Sequence, residues 1–283
     1  MGVGSSIPIS NSQLPTPNPQ VTGSFSVAEY RKPAFEVTVT PAKPDLIQGD
    51  ALEVSVAAHY FSGGAVVHAP VHWRLLANPL YFAPESAANF SFEDLDDAYA
   101  WYRWADNQPS AGGEQVADGQ AQTDAQGNFI VKLPATLGKD NHSRTLTLDV
   151  EVTDVDGQVI ASQGTANVHV GAFYIGLRPD GYVVQAGQTQ NVAIVTLDPQ
   201  GQPVANRALK VSLYKRTWNS VRQQGADGQL YWTSSFSDTL IETKDATTDA
   251  QGRGSISFTL KEGETLGVTA GSPWPMTRRS RVT

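Results

Sequence analysis

The sequence contains no cysteine among its 283 residues. This absence excludes disulfides, thiolate metal sites, a cysteine nucleophile and a thioester built on a cysteine side chain. Whatever fold the chain adopts must therefore be held together by apolar burial and backbone pairing.

Basic residues are also scarce. The chain has 20 Lys and Arg against 28 Asp and Glu, which gives a formal net charge of −8. Because binding to a phosphate backbone requires clustered Lys and Arg, we expect no nucleic-acid partner. No apolar run approaches the roughly 18 residues of a membrane helix, so we expect no membrane span. Hydrophobic residues still make up 40% of the chain, which is enough to build packed cores and is not typical of a disordered protein.

The first residues lack the features of an export signal. Residues 1–24 contain no Lys or Arg and no apolar core segment, although both are needed in a signal peptide. Their polar, proline-rich composition instead predicts a disordered linker.

Helical periodicity is rare, whereas alternation of apolar and polar residues is frequent. It appears at residues 35–39, 52–56, 146–152 and 256–260. A period of two places one face of a strand on a core and the other in water. The chain is therefore predicted to be all-β.

Turn signals separate these segments. Four Asp-x-x-Gly turns begin at Asp124, Asp154, Asp198 and Asp249. Aspartate opens such turns by accepting hydrogen bonds from the following backbone, and glycine closes them because it tolerates positive φ. Short strands joined by tight turns predict antiparallel β-sandwiches.

The pattern occurs twice. Gly49 and Gly187, each just before a predicted strand, stand 138 residues apart. Thr-Asp-Ala-Gln-Gly at residues 123–127 recurs unchanged at 248–252, an offset of 125. The shorter second offset indicates a longer connection within the first copy, at residues 77–114. We predict two tandem sandwiches, at 25–171 and 172–283. The strand pattern is lost after about residue 263, so we expect the second sandwich to be incomplete.

No residue pattern indicates catalysis or metal binding. We expect His68 and His72 to lie on one strand, where four residues span about 13 Å and a single ion cannot bridge them. The acidic residues at 93–97 and 154–157 are interpreted as a helix start and a hairpin turn, with a weak calcium site as the alternative. No serine lies in a Gly-x-Ser-x-Gly elbow and no phosphate loop is present. We therefore expect no catalytic residue, no cofactor, no metal site and no enzyme activity.

Aromatic side chains supply the remaining candidates for a binding surface. Aromatic rings throughout the long connection could fix it against a sheet: Tyr81, Phe82, Phe90, Phe92, Tyr99, Trp101, Tyr102 and Trp104. Four rings could form an interface or contact a ligand: Tyr99, Trp101, Trp104 and Trp232. Packing against a neighbouring domain is the favoured interpretation, and a carbohydrate-binding platform is the alternative.

Several motifs, in order, resemble those of the bacterial α2-macroglobulin family. Residues 29–37 read Glu-Tyr-x-x-Pro-x-Phe-Glu-Val, which is similar to the entry into a macroglobulin domain. A Gly-Gly turn precedes an Ala-x-Val-x-Trp strand within residues 62–73, and the Thr-Asp-x-x-Gly turn appears twice. Residues 213–218 also fit, and the resemblance covers about residues 25–263.

The resemblance implies fibronectin- or immunoglobulin-like sandwiches of seven strands, at the third and fourth positions in family order. It implies a structural frame segment of a protease-trapping inhibitor of the periplasm or cell envelope. The partners would be neighbouring macroglobulin domains and, for the whole protein, target proteases. With no cysteine and no recognisable bait segment, this chain is expected to lack the thioester and the bait. The alternative function is a cell-envelope adhesin or carbohydrate-binding module.

Overall fold

The computed structural model describes residues 32–92, 113–137, 142–181, 183–224, 228–259, 265–271 and 280–282. These residues form fifteen β-strands and one short 3₁₀ helix at Glu85–Ala87, which confirms the all-β prediction. The strands belong to one compact unit, Pro33–Thr283. The predicted linker at residues 1–24 lies outside the described residues.

The first sandwich is built from eight strands. Its two sheets have the orders β1-β3-β6 and β2-β8-β7-β4-β5, and only the β2–β8 pair is parallel. Alternate residues point inward, so that Leu52, Val54, Leu148 and Val150 are buried in the core. The strands are β1 (Phe35–Pro41), β2 (Asp45–Ile47), β3 (Ala51–Tyr60), β4 (Pro70–Pro79), β5 (Glu114–Gln122), β6 (Asn128–Pro134), β7 (Arg144–Thr153) and β8 (Val159–His169).

The second sandwich begins directly after the first. Its sheets have the orders β13-β10-β9 and β12-β11-β14-β15, and its core contains Ile194, Leu209, Val211 and Phe258. The strands are β9 (Tyr174–Pro179), β10 (Thr189–Leu197), β11 (Ala208–Gln224), β12 (Leu230–Thr247), β13 (Arg253–Thr259), β14 (Thr265–Gly271) and β15 (Ser280–Val282).

The sequence repeat corresponds to repeated structure. In the first sandwich the Ala58 amide donates to the Gly127 carbonyl at 2.9 Å, and in the second the Thr196 amide donates to the Gly252 carbonyl at 2.8 Å. A β-bulge also recurs at one position: it interrupts the β4–β5 pairing between Leu75 and Leu76, and the β11–β12 pairing between Leu213 and Tyr214. The two hairpins, β4–β5 and β11–β12, are therefore equivalent elements of the two sandwiches.

These equivalent hairpins differ in length. Pairing of β4 with β5 ends at Ala77 and Glu114. Pairing of β11 with β12 continues far past the bulge, to Gln224 and Leu230. We call residues 214–224 and 228–240 of this extension the ribbon.

Two expectations from the sequence are wrong. The strand pattern does not end near residue 263, because β14 pairs with β11 and β15 pairs with β14. Glycines at 267 and 271 weakened the pattern, although Leu266, Val268 and Ala270 pack on the core. His68 does not lie on a strand, since it occupies a turn before β4 with φ +51°, whereas His72 is on β4.

Candidate functional site

Three of the four aromatic candidates, Tyr99, Trp101 and Trp104, lie outside the described residues, as do the acidic residues 93–97. Trp232 lies on β12, with 67% of its surface exposed. The Arg222 guanidinium lies over its ring at 5.6 Å. The carbohydrate-binding alternative thus rests on rings of which only Trp232 is placed. Among the described residues, no group of three or more His, Cys, Asp or Glu side chains is placed so that it could bind a metal ion.

The best-defined site among the described residues is the contact between the two sandwiches. After β4, residues 80–92 run across the second sandwich; we call these residues the excursion. Phe92 is buried against Tyr174, Val195 and Leu197 of the second sandwich. Phe82 stacks on the Tyr174 ring at 3.9 Å with the planes 7° apart. Phe82 and Phe92 thus pack on a sheet of the second sandwich, as predicted for the rings of this connection, whereas Tyr81 is 52% exposed.

Backbone pairing reinforces the aromatic contact. Ser91 and Leu177 exchange two backbone hydrogen bonds, each 2.9 Å long, so the excursion adds a bridge to β9. Arg178 lies over the Phe90 ring at 5.0 Å. Gly176 leaves room for Phe92, because a Cβ at this position would stand 2.7 Å from the Phe92 ring. The excursion is therefore held by rings, a cation and the main chain together.

A polar network lies beside the stacked rings; we call it the junction network. It consists of Asp45, Ser143, His169, Tyr174 and Gln200. The Tyr174 hydroxyl lies 2.6 Å from His169 Nδ1 and 2.7 Å from Ser143 Oγ. His169 Nε2 lies 3.0 Å from an Asp45 carboxylate oxygen. Gln200, in a turn of the second sandwich, donates to the other Asp45 oxygen at 3.1 Å.

Local structure explains how these side chains meet. β2 pairs in parallel with β8, and this register places Asp45 opposite Asn167 and two residues from the level of His169. Asn167 Nδ2 also donates to Asp45, at 3.1 Å. His169 ends β8 and Tyr174 begins β9, so the chain segment that joins the two sandwiches carries the centre of the network.

The network stabilises the ionised form of Asp45. Partial burial acts to raise the pKa of Asp45. Hydrogen bonds from His169, Asn167 and Gln200, together with the electrostatic attraction of His169, outweigh burial and hold this pKa below its usual value. The carboxylate therefore binds both sandwiches most strongly when it is charged.

A His–Asp pair beside two hydroxyls has the components of an acid–base relay, but its position is unsuited to catalysis. Ser143, Tyr174 and His169 are all at least 97% buried. A general base must come within hydrogen-bond reach of a substrate proton, and these groups face each other inside the protein. The arrangement is suited to fixing the two sandwiches, because buried polar groups with all partners in place specify one geometry.

Sequence reasoning did not identify the junction network. Asp45 and His169 are 124 residues apart, and neither stands in a recognisable motif. The available signal was limited to an almost absent linker between β8 and β9, which required the two sandwiches to touch.

Residues 176–269 match the family model described as bacterial macroglobulin domain 6. An α2-macroglobulin homolog from Nostoc sp. strain PCC 7120 is 22% identical over 205 residues, which is 72% of this chain and 10% of that protein. Both matches indicate that the chain is similar to macroglobulin-domain segments of the bacterial α2-macroglobulin family.

Solved structures of the family share the fold. The native conformation of Escherichia coli α2-macroglobulin aligns with 90% of this chain at a TM-score of 0.59 and 16% identity. Salmonella α2-macroglobulin reacted with methylamine aligns with 90% at a TM-score of 0.58 and 16% identity. The chain covers only 16% and 17% of those two structures.

The position within the family differs from the one expected. The matched model is domain 6 and covers most of the second sandwich, whereas the third and fourth positions were expected from the motifs. The chain is a structural segment of an α2-macroglobulin-like protein. In its described part, no helix is long and apolar enough to cross a membrane.

Proposed function

We propose that this chain is a rigid frame segment of a bacterial α2-macroglobulin-like protease inhibitor in the periplasm or cell envelope. It supports the protease-trapping action of the whole protein without supplying a bait, a thioester or a catalytic group. We further propose that its two sandwiches occupy consecutive positions in the frame, with boundaries near residues 25–171 and 172–283.

The junction between the sandwiches is the observation that carries the proposal. A frame must transmit force between domains without yielding, and a flexible linker is unable to do so. Here the linker is almost absent, the excursion clamps the following sandwich with stacked rings, and the junction network joins both sandwiches through one carboxylate. The lack of cysteine supports the view that no thioester resides in this segment.

The test compares this 283-residue chain with the longer protein that contains it. An endopeptidase is mixed with each, and its residual activity on a protein substrate is measured. We expect the longer protein to inhibit and the 283-residue chain to have no effect at any concentration. In the longer protein, Phe92→Ala should reduce inhibition severalfold, because it removes the buried ring of the excursion.

Phe61→Ala is the matched control, since Phe61 is 63% exposed in the first sandwich and takes no part in the junction. It should leave inhibition unchanged. Inhibition by the 283-residue chain alone, or a longer protein that inhibits no endopeptidase, would contradict the proposal.

A further inference from the structure

The ribbon carries a set of exposed aromatic rings on one face. Trp218, Trp232 and Phe236 are 55%, 67% and 41% exposed. The β11–β12 register places Trp218 opposite Phe236 and Arg222 opposite Trp232. Directly opposed residues lie on the same face of a sheet, and so do residues two apart on one strand. All four side chains therefore share one surface.

Arginine side chains pack against the aromatic rings of this surface. Arg216 makes two 3.0 Å hydrogen bonds to the Asp238 carboxylate and lies 3.8 Å from the centre of the Phe236 ring. Although it lies on the ribbon, Arg216 is only 4% exposed. Trp, Tyr and Arg are the residues that dominate protein–protein hot spots. The composition of the ribbon and the contacts among its rings and cations thus match a docking surface for another protein.

The repeat shows how the equivalent element is used. The first sandwich carries its excursion between β4 and β5, and the second carries its ribbon between β11 and β12, beyond the same bulge. The excursion buries its rings against the sandwich that follows it in the chain. The ribbon presents its rings at the equivalent place, and none of Trp218, Trp232 or Phe236 belongs to a core of the described residues.

Strand direction adds an independent argument. In the first sandwich Pro79, Arg144 and Val168 are aligned across β4, β7 and β8, so β8 leaves the sandwich at the end where the excursion emerges. In the second, Leu213 and Val268 are aligned with Val282 across β11, β14 and β15. β15 therefore runs parallel to β11, toward the end of the sandwich at which the ribbon emerges. β8 runs in the same way toward the end at which the excursion emerges.

Charge indicates the kind of surface that fits. The hairpin 214–240, which includes the ribbon, contains three cationic residues, Lys215, Arg216 and Arg222, and two acids, Asp227 and Asp238, whereas the chain as a whole carries −8. A complementary partner presents apolar side chains with acidic groups near Arg222. A membrane fits less well, because β12 is the terminal strand of its sheet among the described residues and hydrocarbon offers no backbone partner.

We propose that the ribbon docks on an acidic β-sandwich that follows this segment in the longer polypeptide, as the excursion docks on the second sandwich. The inference rests on the proposed role of the chain as a frame segment. It adds a defined surface, Trp218, Arg222, Trp232 and Phe236, and a defined occupant.

Photo-crosslinking in the longer protein tests the proposal. Trp232 is replaced by p-benzoylphenylalanine, the protein is irradiated, and the joined peptides are identified by mass spectrometry. We expect Trp232 to be joined to a peptide from beyond residue 283 of the same polypeptide. The same replacement at Phe61 is the control and should not give that product. Arg222→Glu should lower the yield from position 232 at least threefold, whereas Arg253→Glu, at an exposed position on β13, should not.

Each other outcome overturns the inference. Products that join position 232 only to this segment, to a second copy of the chain or to lipid exclude the following sandwich as the occupant. A natural polypeptide whose intact mass shows that it ends at Thr283 also excludes it. Protease inhibition that persists without the expected product would reject the docking surface and leave the proposed function standing.

Discussion

At the scale of single residues, four turns share one construction. In each, the Asp side chain accepts hydrogen bonds from the backbone amides two and four residues later, over 2.8–3.0 Å. In each, the glycine three residues on has positive φ, between 68° and 77°. The prediction that aspartate opens these turns and glycine closes them is confirmed. The glycines are not equivalent, however, because their surroundings differ.

Gly127 and Gly157 form a matched pair for mutation. Both have positive φ, +77° and +75°, but a Cβ on Gly127 would stand 2.5 Å from the Ala58 carbonyl oxygen, whereas Gly157 has nothing within 4 Å. Gly157→Ala should cost only the left-handed backbone strain, about 1–2 kcal/mol. Gly127→Ala adds a steric clash and should cost about 2–5 kcal/mol.

Urea unfolding of the 283-residue chain measures both variants. Since both turns belong to the first sandwich, its transition reports on both. If Gly127→Ala and Gly157→Ala lower the free energy of unfolding by the same amount, the close approach to the Ala58 carbonyl does not affect stability.

At the scale of elements, one hairpin serves two purposes in the two copies. Up to the bulge, β4–β5 and β11–β12 are built alike. Beyond it, the first copy folds onto its neighbour and the second continues as a paired ribbon. Alternation predicted the strands well, because a half-buried strand carries its pattern locally. The destination of a connection depends on contacts far along the chain, and no local pattern encodes them.

Residue-level examples show the same limit. Leu52 and Val54 identified β3 because both face the core, whereas β14 was missed because glycine occupies two of its seven positions. For the candidate site, Phe82, Phe90 and Phe92 were recognised as packing residues, but the partner surface on β9 and β10 was not. Asp45 and His169 are ordinary surface residue types in sequence, and only the fold brings them together.

Phe92→Ala should separate the stabilities of the two sandwiches. Phe92 is 3% exposed and packs on Tyr174, Val195 and Leu197. Truncation of a buried Phe typically costs about 3–5 kcal/mol, and here much of that loss falls on the contact between sandwiches. We expect differential scanning calorimetry to show the two sandwiches melting further apart than in the unmodified chain. Phe61→Ala, on the exposed side of the first sandwich, should change the profile by less than about 0.5 kcal/mol; a Phe92→Ala profile that matches it would exclude the coupling.

At the scale of the whole molecule, the junction network connects the two sandwiches through hydrogen bonds to one carboxylate. The pKa of Asp45 lies below its ordinary value, which favours the charged carboxylate. Asp45 accepts bonds from β8 of the first sandwich and from Gln200 of the second. Protonation of this carboxyl therefore weakens contacts on both sides of the junction at once.

Lowering the pH should weaken the contact between the two sandwiches, because Asp45 becomes protonated. The pKa of Asp45 in the folded protein lies below its ordinary value of 3.8, so folding favours the ionised carboxylate. Its contribution to stability is full above about pH 4 and is lost as the pH falls through the lower folded pKa. Asp45→Asn should thus destabilise the chain at pH 7, and this difference should shrink between pH 4 and pH 2 as the wild-type carboxyl becomes protonated. Unfolding of the two proteins, measured across this pH range, gives the difference directly.

Glu36→Gln, at an exposed position on β1, controls for loss of one surface charge. A difference between wild type and Asp45→Asn that stays constant down to pH 2 would show that ionised Asp45 does not hold the junction together.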